Sequence, residues 1–398
     1  MLSSTAFTLL KAGKNMATTK FRTSSATIES LTVSAYTVPT AFSSHDPDGT
    51  HEYNFPESDG TYSWDKTTIV VVEVSGGGKR GLGYTYADVA TATLIQTMLA
   101  DVVKGRDAMD VPDCWLAMVQ AIRNLGRPGI TSMAISAVDV ALWDLKARLL
   151  DVALVTLLGA VREGAAIYGS GGFTSYAREQ LQKQLSDWVE SGIPRVKMKI
   201  GRNAQHDLVR VQEACEAIGD NTELFVDANG AYSRKQALAQ AEIFAESGVI
   251  WFEEPVSSDD LEGLRLIRDR APAGMEIAAG EYGYDLWYFQ RMLEAGAVDV
   301  LQADATRCAG ISGFLRVGAL CEARSLQLSS HCGPALHVHA CCSLPNFRHM
   351  EYFHDHVRIE RMFFDGVLTP IHGELRPDRS RPGIGLTFKR SDAQQYAI

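Results

Sequence analysis

The chain has 398 residues, of which 38 are basic and 48 acidic, giving a net charge of −10. That length exceeds one ordinary domain, so two domains, or one large barrel with additions, are expected. The balance of 46% apolar and 22% charged residues is that of a soluble globular protein, and the acidic excess argues against a broad basic surface for nucleic acid or anionic lipid.

No apolar run approaches the roughly 20 residues that span a bilayer. The seven cysteines are scattered and form no Cys-x-x-Cys pair, so neither a disulfide framework nor a structural zinc site is suggested. A reducing cytoplasm is the natural compartment.

Residues 1–28 hold Lys11, Lys14, Lys20 and Arg22, no acid, and many Ser and Thr. A transit peptide has this composition. An over-long start, with Met16 the true initiator, or an expression leader fits better, and the segment is set aside from the fold.

From about residue 29 the pattern becomes strand-like. Ser30–Val38 alternates apolar and polar residues, and Thr67–Val74 is a β-branched run that Gly81–Tyr86 can pair with after a turn at Gly76–Gly78. Between them lies a polar stretch, Phe42–Asp65, with six acids, several aromatics and no Lys or Arg. A structureless loop longer than about 15 residues is usually functional or disordered, so this one is a lid candidate. Helical spacing follows over Asp88–Lys104, Pro112–Asn124 and Thr131–Leu150. Strands followed by helices predict an α+β domain over residues 29–160.

Beyond about residue 161 strands and helices alternate. Strands are predicted at Ala165–Ser170, Arg195–Ile200, Glu223–Asp227, Ile250–Glu253, Glu276–Gly280, Val300–Asp304, Leu326–Ser330 and His349–Phe353. Helices fall between them, including Ser175–Ser191, Ala204–Ile218 and Ser233–Ser247, the last opening with a Ser233-x-x-Gln236 capping box. Eight such units predict an α/β fold, a (β/α)8 barrel of roughly 200 residues over 161–366, with a tail, 367–398, returning to the first domain.

The chemistry sits at the strand ends. They carry Lys197 and Lys199, then Asp227, Glu253, Glu281, Asp304, His331 and Glu351, spaced from Lys199 by 28, 26, 28, 23, 27 and 20 residues. Each interval is one βα unit, so every group falls at the C-terminal rim, where barrel enzymes place their sites. A single carboxylate there is usually a solvated loop residue; an ionisable group on each successive strand is not so easily dismissed. Asp227, Glu253 and Glu281 are hard oxygen donors converging on one point. Salt bridges to loop arginines would satisfy them, and so would one divalent cation, for which an all-oxygen set favours Mg²⁺ over zinc. Lys199 and His331 stand across the axis from one another. Lys197, two residues from Lys199 and on the same face, would lower its pKa and make it a usable base. Asp304 is placed to hold the His331 imidazole.

The motifs VKMKIG, DANG, WFEEP, AAGE, QADATRCAGIS and SSHCG, in this order and spacing, resemble the enolase superfamily, mandelate racemase subgroup. The resemblance covers nearly the whole chain from about residue 30. It implies a barrel with an N-terminal capping domain, and one Mg²⁺ on Asp227, Glu253 and Glu281. It also implies Lys199 and His331 as acid/base catalysts, Asp304 as the partner of His331, and Glu351 as a protonated hydrogen-bonding acid beside the substrate carboxylate. Glu254 would stand behind the metal ligands, and the chain would be a homo-oligomer.

These parts suit abstraction of the proton α to a carboxylate through an ene-diolate. The polar lid favours a polyhydroxylated acid with one carboxylate over a phenyl ring, so the leading expectation is a sugar-acid dehydratase forming a 2-keto-3-deoxy acid. A racemase or epimerase of a 2-hydroxy acid is the alternative on the same scaffold, and a catalytically inactive metal-binding barrel the alternative of another class. Asn229, Ser170, Tyr53 and Trp64 are candidate substrate contacts. His337-x-His339 and His354-x-His356 resemble metal pairs, but core or loop histidines explain them better.

Overall fold

The computed structural model describes residues 26–45 and 52–398, the side chains of 42–45 and 52–54 excepted. The expected leader lies almost wholly outside them; of its last residues, Ile28 already opens the first strand.

The N-terminal part is built on an antiparallel sheet of β1 (Ile28–Pro39), β6 (Lys66–Gly76) and β7 (Lys79–Tyr86), with β6 in the middle. The β-branched run of β6 pairs on both edges, Val70 with Ala35 and Val72 with Gly83. The long helix Ile130–Leu149 lies directly on β7, and two glycines allow it. A Cβ at Gly81 would stand 2.1 Å from the Ala141 carbonyl oxygen, and one at Gly83 2.2 Å from that of Ala137. The helix expected over Asp88–Lys104 begins at Val89, capped by the Asp88 carboxylate on the Ala90 amide, and carries a π-helical segment at Ile95–Leu99.

The stretch 42–65 is not the structureless loop that its composition suggests. Its described residues form an antiparallel pair, β2 (Phe42–His45) with β3 (Glu52–Phe55), and a hairpin, β4 (Glu57–Ser58) with β5 (Ser63–Trp64). At the turn of the hairpin, Asp59 Oδ1 accepts the Thr61 and Tyr62 amides, an Asx turn.

Eight parallel strands follow: β8 (Ala165–Gly171), β9 (Arg195–Lys199), β10 (Glu223–Asp227), β11 (Val249–Glu253), β12 (Glu276–Ala279), β13 (Val300–Ala303), β14 (Gln327–Ser330) and β15 (Phe347–Phe353). They pair in chain order, and β15 closes on β8 through Met350–Ile167 and Glu351–Tyr168. The expected eight-stranded barrel is therefore present, with strand ends within two residues of those read from the sequence. The capping box also forms, Ser233 and Gln236 bonding reciprocally at the start of Arg234–Glu246. Tyr168, Phe225, Trp251, Ala278 and Val300 fill the axis as one cluster. That plug forms the floor beneath the charged residues at the strand ends.

The last residues return to the N-terminal part. Ile384 N donates to the buried Asp144 Oδ1, Arg390 pairs with Glu73, and Ile398 N donates to the Ala35 carbonyl. Among the described residues no helix is long and apolar enough to cross a membrane.

Candidate active site

Because each strand runs toward the same rim, the residues that end them meet in one place. Asp227, Glu253 and Glu281 offer carboxylate oxygens all within 4.8 Å of one another, and all three are buried. Glu281 Oε2 has no hydrogen bond, and His331 Nε2 lies 3.4 Å from it. Three buried carboxylates facing one point, with an oxygen left over, form a donor set that a hard divalent cation fits. The turns that follow are strained. Asn229 (φ 44°) and Glu254 (φ 40°) are left-handed non-glycine residues directly behind two of the ligands.

Lys197 is fully enclosed beneath them, its Nζ 5.3 Å over the Tyr168 ring. It reaches Glu253 at 2.5 Å, Glu351 at 2.8 Å and Asp227 at 3.2 Å. Lys199 donates to Asp227 Oδ2 at 2.5 Å and to Asn229 Oδ1 at 3.0 Å. Lys197 lowers the Lys199 pKa as expected, but the expected net result is corrected: the pKa stands above its ordinary value. Burial, the largest single cause, and Lys197 push it down, but Asp227, Glu281 and Glu351 together push it up further, and the ammonium is stabilised. Lys197 has little charge to spare, since three carboxylates already surround it. For Asp227, burial pulls upward and the two lysines pull down to about 2. Burial and then Asp227 push Glu253 well up.

On the other side of the barrel, His331 Nδ1 meets Asp304 Oδ2 at 2.9 Å. Burial would raise the Asp304 pKa, but the His331 bond holds it well below the carboxylate range. Asp304 is thus an anion that fixes the His331 tautomer and leaves Nε2 facing the carboxylates. Cys332 Sγ lies 3.2 Å from that Nε2.

Glu351 is a second correction. Burial pushes it up, yet Lys197, followed by His331, pulls it far below its ordinary value, so it is a carboxylate rather than a protonated acid. It accepts from the Cys332 amide at 2.9 Å and from Ser170 Oγ at 2.6 Å. Ser170, expected to touch substrate, is spent on this bond and does not line the cavity.

The cavity itself has a volume of about 300 Å³. Lys199, Asn229, Glu281, Asp304, His331 and Glu351 open onto it, and so do Asp59 and Trp64 of the β4–β5 hairpin. The hairpin is pinned to the barrel: Thr174 N and Oγ1 both donate to the Ser58 carbonyl, and Trp64 packs edge-on against Phe173. Tyr53 lies in β3, whose side chain here is outside the described residues. Lys66, Tyr86, Arg307 and Asp355, which the sequence did not single out, also line the cavity, and so does His356, which the sequence offered only as a core or loop histidine. Lys66 stands one residue beyond the stretch noted for lacking cations and has no ion pair among the described residues. Arg307 reaches Glu281 Oε1 at 3.4 Å. Its position, three residues after Asp304, was the one available signal. His337 and His339 accept backbone amides, those of Ala305 and Val155, which accounts for both without a metal.

One lid contact titrates. The buried Glu57 carboxyl meets that of Asp355, accepts the Tyr176 hydroxyl at 3.1 Å, and has His354 and Arg358 nearby. Burial and then Asp355 push its pKa up to about 10. A carboxyl raised on folding favours the folded state fully below its unfolded value near 4.5 and loses that contribution progressively up to about 10. Glu57→Gln is therefore expected to match the parent near pH 5 and exceed it at pH 8–9, by on the order of 1–3 kcal/mol. Thermal midpoints across that range check it; a difference that ignores pH would refute it.

Comparison with known proteins agrees with this geometry. Residues 180–393 match the enolase C-terminal domain-like family model, and residues 51–159 match that of the mandelate racemase / muconate lactonizing enzyme N-terminal domain. A 3,6-anhydro-alpha-L-galactonate cycloisomerase from Streptomyces coelicolor is 33% identical over 79% of this chain and 87% of its own. L-talarate/galactarate dehydratase from Salmonella typhimurium is 32% identical over 81% of each. Its crystal structure liganded with Mg and L-lyxarohydroxamate superposes with a TM-score of 0.83, covering 100% of this chain and 98% of that one. A mandelate racemase/muconate lactonizing enzyme-like protein from Rubrobacter xylanophilus is 53% identical, with a TM-score of 0.88 over 94% of this chain and 100% of its own. Two family models spanning the capping part and the barrel, on a closed eight-stranded barrel, place this chain in the mandelate racemase / muconate lactonizing enzyme family of the enolase superfamily.

Proposed function

We propose that this chain is a sugar-acid dehydratase that removes the proton α to a carboxylate and expels the β-hydroxyl as water, leaving a 2-keto-3-deoxy acid. One observation carries the reading. Lys199 touches one end of the Asp227–Glu253–Glu281 cluster, and His331 faces the other end at 3.4 Å, inside a single cavity. Mg²⁺ held by those three carboxylates supplies Lewis-acid neutralisation of the substrate carboxylate. Lys199 could serve as a base once the Asp227 oxygen that it now contacts is engaged elsewhere, as a metal-ligand role would engage it. One of Lys199 and His331 takes the α-proton, and the C–H electrons move into an ene-diolate. The other protonates the β-hydroxyl, the C–O bond breaks, and the enol becomes the keto acid. The polar hairpin over the cavity and the named dehydratase relative support this substrate class.

Two opposed acid/base groups would serve epimerisation equally well, which keeps that second reading in view. A panel of sugar acids in deuterated solvent with Mg²⁺ separates them. Dehydration yields a keto acid detectable with semicarbazide, whereas epimerisation yields exchange and inversion alone. Turnover is expected to cease on chelation and to return with Mg²⁺. A panel showing neither exchange nor loss of water would end the proposal.

A further inference from the structure

His356 belongs to a histidine pair that neither the metal cluster nor the acid/base pair employs. Its Nδ1 accepts the Gly333 amide at 3.2 Å. Only an unprotonated Nδ1 can accept, so in the neutral ring the proton sits on Nε2. The ring stacks on Tyr86, with centroids 3.4 Å apart and planes 7° apart, and meets Phe353 edge-on at 5.1 Å. Its orientation is thus set from three sides. Burial, and then His331, hold its pKa down to about 3. Nε2 has no hydrogen-bond partner among the described residues and is not sealed from solvent, and the residue lines the cavity that holds Lys199 and His331. The result is an uncharged N–H donor on a ring held in place at the wall of the reaction chamber.

We infer that His356 donates Nε2–H to a hydroxyl oxygen of the substrate chain beyond the reacting carbons, and so determines which sugar acids are accepted. This rests on the sugar-acid reading above. A hydroxyl fits better than a second carboxylate. The donor brings no charge and its chain neighbour Asp355 is acidic; Lys66 and Arg307 line the cavity too, so the preference rests on what the neutral His356 offers. An oxygen with a proton of its own can accept from His356 and still donate elsewhere.

The test is kcat/KM for a sugar acid that the parent protein turns over and for analogues each lacking one hydroxyl. His356→Phe keeps a ring on Tyr86 and loses the donor; His356→Gln keeps an N–H. His356→Phe is expected to lose about tenfold in kcat/KM, mainly through KM. The loss should disappear for the one analogue that lacks the contacted hydroxyl, and His356→Gln should recover most of it. An equal loss with every analogue, or none with any, overturns the inference, as does a loss confined to diacids. The Phe variant also leaves the Gly333 amide unpaired, so the analogues are compared within each variant: a general loss of fold lowers kcat/KM for all of them, whereas loss of the donor spares the one without the contacted hydroxyl. If the parent protein turns over no sugar acid, the dehydratase reading fails and takes this inference with it. If it does and His356 is silent, only the inference fails.

Discussion

Lys199→Ala and His331→Asn are each expected to lower kcat for dehydration by a factor of about 10²–10⁴, the span that a positioned general acid or base contributes. Lys199→Ala also removes a buried partner of Asp227, so the stability of each variant is measured beside its kinetics, with Mg²⁺ present. The informative result is how they differ. The variant lacking the base loses α-proton exchange with solvent as well as dehydration. The variant lacking the acid keeps exchange while the β-hydroxyl stays in place. Asp304→Asn should resemble the His331 variant in direction. An amide at the 2.9 Å contact can offer N–H to Nδ1 and so favours the wrong tautomer. Should both single variants retain exchange and dehydration at parental rates, the assignment of this pair would fall.

The strand-end residues were legible because a barrel converts sequence spacing directly into position. An interval of one βα unit moves a residue to the next strand at the same height. Asp227, Glu253 and Glu281 were therefore brought together by counting, without knowledge of any contact. The lid was not legible in the same way. Its strands have no apolar alternation, and the β4–β5 hairpin is held by bonds to partners far along the chain, such as Thr174 on Ser58. Charge states were also beyond reach. Glu351 reads as an acid that could hold a proton until Lys197, buried beneath it, is seen to pair with it at 2.8 Å. His356 was visible only as one of a histidine pair, and its role was not, because its stacking partner Tyr86 comes from the other end of the chain and its tautomer is set by the Gly333 amide. What spacing cannot convey is which neighbour a charged group turns toward, and that decides the electrostatics.

That neighbour matters most at Lys197. This ammonium is the common partner of Glu253, Glu351 and Asp227, and it has no exposed surface. Breaking a buried ion pair by deleting one member typically costs about 3–5 kcal/mol, because the remaining charges stay buried without compensation. Lys197→Met keeps the length and apolar stem over Tyr168 while removing the charge, and a loss of that size is expected in denaturant unfolding without Mg²⁺. The pH dependence has a definite sign. In the parent, Lys197 holds the Glu351 pKa well below 4.5. The pair thus stabilises the fold above pH 4.5, and the contribution is lost as pH falls through the depressed value. The gap between parent and variant should accordingly be widest near neutral pH and narrow in acid, where the orphaned carboxyls take up protons. Added Mg²⁺ should narrow it too, since a cation on Asp227 and Glu253 neutralises two of the three groups that Lys197 serves. A variant within 1 kcal/mol of the parent at pH 7, with or without Mg²⁺, would show that these carboxylates do not depend on Lys197 for their charge balance.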